Sequence, residues 1–211
     1  MTTTPEKTPA SPEAPGLSWR FRTRDLITVA IFAAIYMVIT YVLGMLSLFG
    51  PLMWIVSVPV AIIVNGTTFM LFFTRVTHAG MFTLFAVVQG AFFLLHGGAP
   101  SGAAAAVVLG IVVEAIAYAG RYRARWSAIA SYTIFGMTAF TPFLPMVLNR
   151  DAYFGSAAWQ SMGEEFVNSA DELFTLPLMG LLAAVCLLAG FIGALVGAAV
   201  LRKHFVRAGL A

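Results

Sequence analysis

Of the chain's 211 residues, 60% are hydrophobic and 10% charged, with a mean hydropathy of +0.91, whereas an ordinary soluble domain carries about 25% charged residues. A water-soluble globular domain is excluded, and the composition is that of a membrane protein. The single cysteine, Cys186, rules out an intramolecular disulfide framework and a multi-cysteine metal centre, and a net charge of +3 sorted by side of the membrane, as set out below, gives a nucleic-acid partner little support.

Residues 1–18, MTTTPEKTPASPEAPGLS, are rich in Thr and Pro and lack the apolar stretch of a signal peptide. They are expected to form a disordered cytoplasmic tail that is not cleaved. Crossing about 30 Å of hydrocarbon as a helix takes about 20 apolar residues. The chain offers six such runs, near 25–49, 51–74, 79–96, 102–119, 126–148 and 175–201, within one domain over 19–205. The expected fold is an all-α membrane protein, a bundle of six transmembrane helices.

The first run follows Arg20, Arg22 and Arg24 and carries Ala30, Ala33 and Ala34. Residues four apart lie about 400° apart around a helix, so Ala30 and Ala34 share a face with Ala33 beside them. Small side chains allow close helix approach, which supplies much of the attraction between helices in lipid. This stripe is a docking face for another helix, of this chain or of a separate protein.

The second run contains Trp54, Pro59 and Asn65, and the third Gln89 and His96 among Met81, Phe82, Phe85, Phe92 and Phe93. Polar side chains at membrane depth are costly and ask for a partner or a purpose. Asn65 and Gln89 suit either interhelical hydrogen bonding or ligand contact. His96, at the mouth of the third run, is a candidate for ligand contact, a cap of the Gly turn, or metal binding, although no second ligand has the spacing for a metal site. HGGAPSG, residues 96–102, is a tight turn without the Lys-Ser/Thr of a phosphate-binding loop. Glu114, in the fourth run, pairs with Arg121 or another inner arginine, or else serves as a proton or cation site or the polar end of a substrate site.

In the fifth run TPFLP places Pro142 and Pro145 near its outer end, where each removes a backbone donor and bends the helix. Such bends either line a cavity or are packing kinks. Residues 149–174 form the long outer loop, in which Trp159, Met162, Phe166 and Val167 fall on one face of a short amphipathic helix, with Glu164 and Glu165 turned away. That helix lies in the membrane interface or covers a pocket. The last run has a second small stripe, Gly190, Gly193, Ala194, Gly197 and Ala198, assigned to internal packing.

Six spans put both termini on one side, and eleven of the twelve basic residues then share that side, leaving Arg150 opposite. The excess of Lys and Arg in cytoplasmic loops makes both termini cytoplasmic. Five of the nine acidic residues, Asp151, Glu164, Glu165, Asp171 and Glu172, fall in the outer loop. Trp54 and Trp159 outside, and Trp19, Tyr122 and Trp126 inside, suit aromatic belts at the two interfaces.

No catalytic constellation emerges. GEEFVNSA resembles the start of the double-glutamate motif of CAAX-type intramembrane proteases, but the following arginine and the paired histidine motifs are absent. Neither G-x-S-x-G nor H-E-x-x-H occurs, so the chain is not expected to be an enzyme or to carry a cofactor or metal of its own.

With its basic RTRDLI entering an Ala-x-x-x-Ala helix, six spans and a Gly-rich outer turn, the chain resembles the substrate-binding S component of an energy-coupling factor (ECF) transporter. DLITVAIFAAIYMVI, together with a later helix leading into GGAPSG, is most similar to the Trep_Strep family. The resemblance covers about Arg22 to Lys203. It implies a bacterial plasma-membrane subunit that captures a vitamin-like or other micronutrient from outside and docks on a transmembrane T component carrying two cytoplasmic ATPases. Ala30 and Ala34, with Ala33, would meet the T component, and the subunit would topple in the membrane to release its cargo. The absence of a Walker motif agrees with hydrolysis in separate subunits. By position, FGPLMW, HGGAPSG and the acidic loop would cover the outer substrate site. Trp54, Asn65, Gln89, His96, Glu114 and Trp159 are the candidate contacts. The aromatic third run and His96 permit an aromatic vitamin or a metal-porphyrin and select neither. A non-transporting membrane scaffold or assembly factor is the alternative.

Overall fold

The computed structural model describes residues 22–76 and 79–207, the last four as backbone; the tail 1–18, Trp19 and Arg20 lie outside the described residues. Those described are helical with short connections and no strand. The main helices are α1 (Thr23–Gly44), α2 (Pro51–Phe73), α3 (Met81–Leu95), α4 (Pro100–Ala119) and α5 (Arg125–Phe135). Four short helices follow, α6 (Leu144–Leu148), α7 (Arg150–Phe154), α8 (Ala157–Gln160) and α9 (Glu164–Leu173), and then the long α10 (Leu176–Arg207). Pro51 and Pro100 each stand at the first turn of a helix, where the missing N–H costs nothing. Gly50 (φ 126°) and Gly80 (φ 97°) take left-handed backbone where the chain turns into α2 and α3.

Among the described residues five segments are long and apolar enough to cross a membrane: Thr23–Phe49, Pro51–Phe73, Pro100–Ala119, Arg125–Leu148 and Leu176–Lys203. The run expected over 79–96 is the apolar helix α3, whose 15 residues reach about 22 Å at 1.5 Å each. Gly80 begins it and the His96-Gly97-Gly98 turn ends it. It is therefore shorter than the hydrocarbon layer, and the described residues hold five full-length segments where the sequence suggests six.

Helix α2 is the axis of the bundle, packed on α10 and α1, while α4 packs on α3 and α5. Glycines make the α2–α10 seam. A Cβ on Gly66 would lie 2.1 Å from the Gly193 carbonyl oxygen, and one on Gly197 would lie 2.5 Å from the Gly66 carbonyl oxygen. Gly190 meets the Thr133 backbone of α5 in the same way. The small stripe of the last run is thus internal packing, and backbones in contact give it the dispersion attraction that lipid does not supply.

The fifth segment is not one bent helix. After α5 it runs through two 3-10 turns, Gly136–Ala139 and Thr141–Phe143, into α6. Pro142 has no N–H for the Thr138 carbonyl, and the Thr141 hydroxyl donates to that carbonyl instead at 2.8 Å. The helical geometry therefore fails several residues before the first proline. Helix α4 closes on this break through Gly102, where a Cβ would stand 2.8 Å from the Thr141 carbonyl oxygen.

Candidate functional site

Trp54, in the first turn of α2, stacks on Trp159 of α8, with ring centroids 5.4 Å apart and 25° between planes. Phe143 and Phe174 pack against the Trp54 ring at 5.3 and 6.1 Å. Tyr153, Phe154 and Phe166 complete the set around Trp159. Helices α7–α9 therefore form a cap over the end of the bundle, seated on an aromatic cluster. Of the face expected on one continuous helix, Trp159 and Val167 are buried and Phe166 partly so, but Met162 is exposed. Gly163 (φ 91°) breaks the helix between α8 and α9, so the period that aligned Met162 with the others does not run through.

Arg150 fastens the cap. Its Nε donates to Asp171 Oδ1 at 2.7 Å and its Nη1 to the Phe174 carbonyl at 2.6 Å. Its Nη2 donates to the Asp171 carbonyl, and the guanidinium sits 5.2 Å from the Phe154 ring centre. One planar fork thereby joins the start of α7, the end of α9 and the turn into α10. Arg150→Gln is expected to raise protease cleavage within 149–174 several-fold while changing the melting temperature little. Limited proteolysis of purified protein checks this, and an unchanged cleavage rate would refute the fastening role.

The membrane-depth polar groups hold the bundle together across helices. Asn65, 1% exposed, donates from Nδ2 to Thr40 Oγ1 at 2.9 Å, joining α2 to α1. Gln89 Nε2 donates to Thr138 Oγ1 at 3.1 Å, joining α3 to the broken segment, and the Tyr132 hydroxyl donates to the Ile62 carbonyl. The buried oxygens Asn65 Oδ1, Gln89 Oε1 and Ser131 Oγ have no protein partner among the described residues. A buried oxygen of this kind ordinarily holds a water or another polar group.

Glu114 stands apart from these. Its Oε2 accepts the N–H groups of Phe82 at 2.9 Å and Thr83 at 3.2 Å, and its Oε1 accepts the Tyr122 hydroxyl at 2.6 Å. Phe82 and Thr83 belong to the first turn of α3, where free N–H groups and the helix dipole favour an acceptor with negative charge. Gly80, the residue at the cap position, has no side chain to serve, and Glu114 caps α3 from the neighbouring helix. The partner is a helix end and a tyrosine, not the arginine the sequence suggested. Arg150 instead forms its ion pair with Asp171 in the cap. Burial, and then the Glu114 contact, push the Tyr122 phenol above its ordinary value. A phenol raised in the folded state contributes stability below about pH 10 that is lost as pH rises.

His96 is exposed at the end of α3, its Nδ1 2.9 Å from the Phe92 carbonyl and its ring 4.1 Å from that of Phe92. The structure brings Trp54 and Trp159 together. It does not bring Asn65, Gln89, His96 and Glu114 to them or to each other in one pocket. On α1, Ala30 and Ala34 face outward and are exposed, whereas Ala33 is fully buried beside Val29 and Tyr36. The outward seam is therefore Ala30 and Ala34, flanked by exposed Ile27, Ile31 and Ile35.

The family model for hypothetical bacterial integral membrane proteins, Trep_Strep, matches residues 23–207. The chain belongs to the Trep_Strep family. The match spans every helix from α1 to α10, so the capped bundle is the region that defines this Trep_Strep protein, and it is a multi-pass bacterial membrane protein. No curated protein matches it, and no solved structure does. Sequence reasoning passed over Tyr132, Thr138 and Ser131, whose hydroxyls read as ordinary residues of apolar runs. It also passed over Arg150 as a fastener, although a lone cation beside five acids was the available signal.

Proposed function

We propose that this Trep_Strep protein is the substrate-binding S component of an ECF-type importer. It would have six membrane passes and cytoplasmic termini, and dock on a T component with two ATPases. The observation that carries this reading is the state of α1. It is the least buried of the five full-length segments, and Ala30 and Ala34 are exposed on it rather than covered by the chain's own helices. A shallow strip between branched side chains suits the close approach of a partner's helix. The short α3 joins as the sixth pass through local bilayer thinning. The aromatic cluster beneath α7–α9 supports a planar or apolar substrate part, admitted when the cap lifts Trp159 away from Trp54.

The same cluster is packed ring on ring, which favours the second reading, a membrane scaffold that uses the α1 strip without carrying cargo. Ala34→Trp separates them. On the importer reading it reduces uptake by the assembled complex at least about tenfold and loses the partner in pull-down, while the purified subunit keeps its affinity for the co-purifying small molecule. Native mass spectrometry of the wild-type subunit identifies that molecule. Retained uptake by the variant, or a subunit that never carries a small molecule, rejects the importer.

A further inference from the structure

The end of the bundle opposite the cap holds a half-open hollow of about 480 Å³ between the last turn of α2, the start of α5 and the end of α10. Its floor is apolar, made by Met70, Phe73 and Ala198, and its rim carries Arg123, Arg125 and Arg202. Among the described residues no carboxylate pairs with any of the three, and all are exposed. The wall on one side is Tyr122, held by Glu114. Arg121 and Tyr122 both adopt left-handed backbone, with φ 52° and 54°, which is uncommon for residues with side chains and persists only where neighbours enforce it. Trp126, 71% exposed, follows Arg125 at the start of α5, and exposed tryptophans at helix ends are enriched at the boundary of lipid and water.

From this geometry we infer that the hollow is a binding site for an anionic phospholipid of the adjoining leaflet, phosphate on the three guanidiniums and acyl chain on the apolar floor. Charge complementarity selects the phosphate, because unpaired arginines favour its bidentate geometry. An apolar floor at bilayer level selects an amphiphile over a free anion or an acidic peptide. The positive-inside pattern makes the leaflet cytoplasmic, where anionic lipid attracts basic clusters. The site does not depend on whether the protein imports anything.

The test uses the full chain purified in a neutral detergent and supplied with dioleoylphosphatidylglycerol, dioleoylphosphatidylcholine or inorganic phosphate, read by native mass spectrometry and thermal melting. Wild type should retain phosphatidylglycerol and gain melting temperature with it, but not with phosphatidylcholine or phosphate. Arg123→Gln/Arg125→Gln/Arg202→Gln should lower phosphatidylglycerol occupancy about tenfold or more, with its lipid-free melting temperature unchanged. A control removing equal charge elsewhere, Arg24→Gln/Arg121→Gln/Lys203→Gln, should lower it less than about twofold. Equal losses in both variants would show only diffuse attraction and overturn the site. So would equal retention of phosphatidylcholine, or stabilisation by phosphate alone.

Discussion

Gly66→Leu is expected to leave no stably folded protein: detergent extracts should yield aggregate where wild type gives a monodisperse peak. Even the first carbon of the new side chain would lie 2.1 Å from the Gly193 carbonyl oxygen and 2.7 Å from its Cα. Those are backbone atoms, which cannot swing aside, and the seam between α2 and α10 would have to open along its length. Overpacking of flexible cores costs about 1–3 kcal/mol, and a clash with fixed backbone exceeds that. Gly44→Leu is the matched control, because nothing lies within 4 Å of its Cβ position. Size-exclusion chromatography of the pair decides the matter, and a monodisperse Gly66→Leu protein would refute the proposed seam.

Glu114→Ala should lower stability by about 2 kcal/mol or more, because two N–H groups at the head of α3 and the Tyr122 hydroxyl lose their acceptor together. Tyr122→Phe removes one of the three bonds and should cost about 1 kcal/mol. The corresponding drops in melting temperature, with faster hydrogen exchange at Phe82 and Thr83 in Glu114→Ala alone, check the capping role. A proton or cation site predicts the opposite pattern, a Glu114→Gln variant that melts like wild type and fails in uptake. That result would move Glu114 from the scaffold to the transported charge.

The run boundaries were legible because hydrocarbon thickness sets a length that composition reveals directly. The expected 51–74, 102–119 and 175–201 match α2, α4 and α10 to within a few residues, apart from the extension of α10. The stripe of Gly193 and Gly197 was legible as packing, since small residues at helical spacing have few other uses inside a chain. What was not legible is which direction a residue faces. Ala33 lies only 100° from Ala34 yet is buried, and a helix with apolar residues all round carries no periodic signal to tell lipid from core. Glu114 was found and its partner missed, because the N–H groups it accepts lie more than 30 residues away and backbone groups leave no mark in a sequence. The aromatic cluster under the cap needed the same long-range knowledge. Trp54 and Trp159 read as interface residues and candidate substrate contacts, and their stacking joins helices more than 100 residues apart.

The interrupted fifth segment also sets a height. Residues 136–139 and 141–143 climb about 2.0 Å each where an α-helix climbs 1.5 Å, so those seven residues gain about 3.5 Å over a regular helix. The cap of α7–α9 follows this stretched spacer in the chain. A natural variant that converted it to ordinary helix would shift the start of the cap and rotate it about the bundle axis at once, so divergence among relatives in these few positions would reshape the capped end with no change in its own residues.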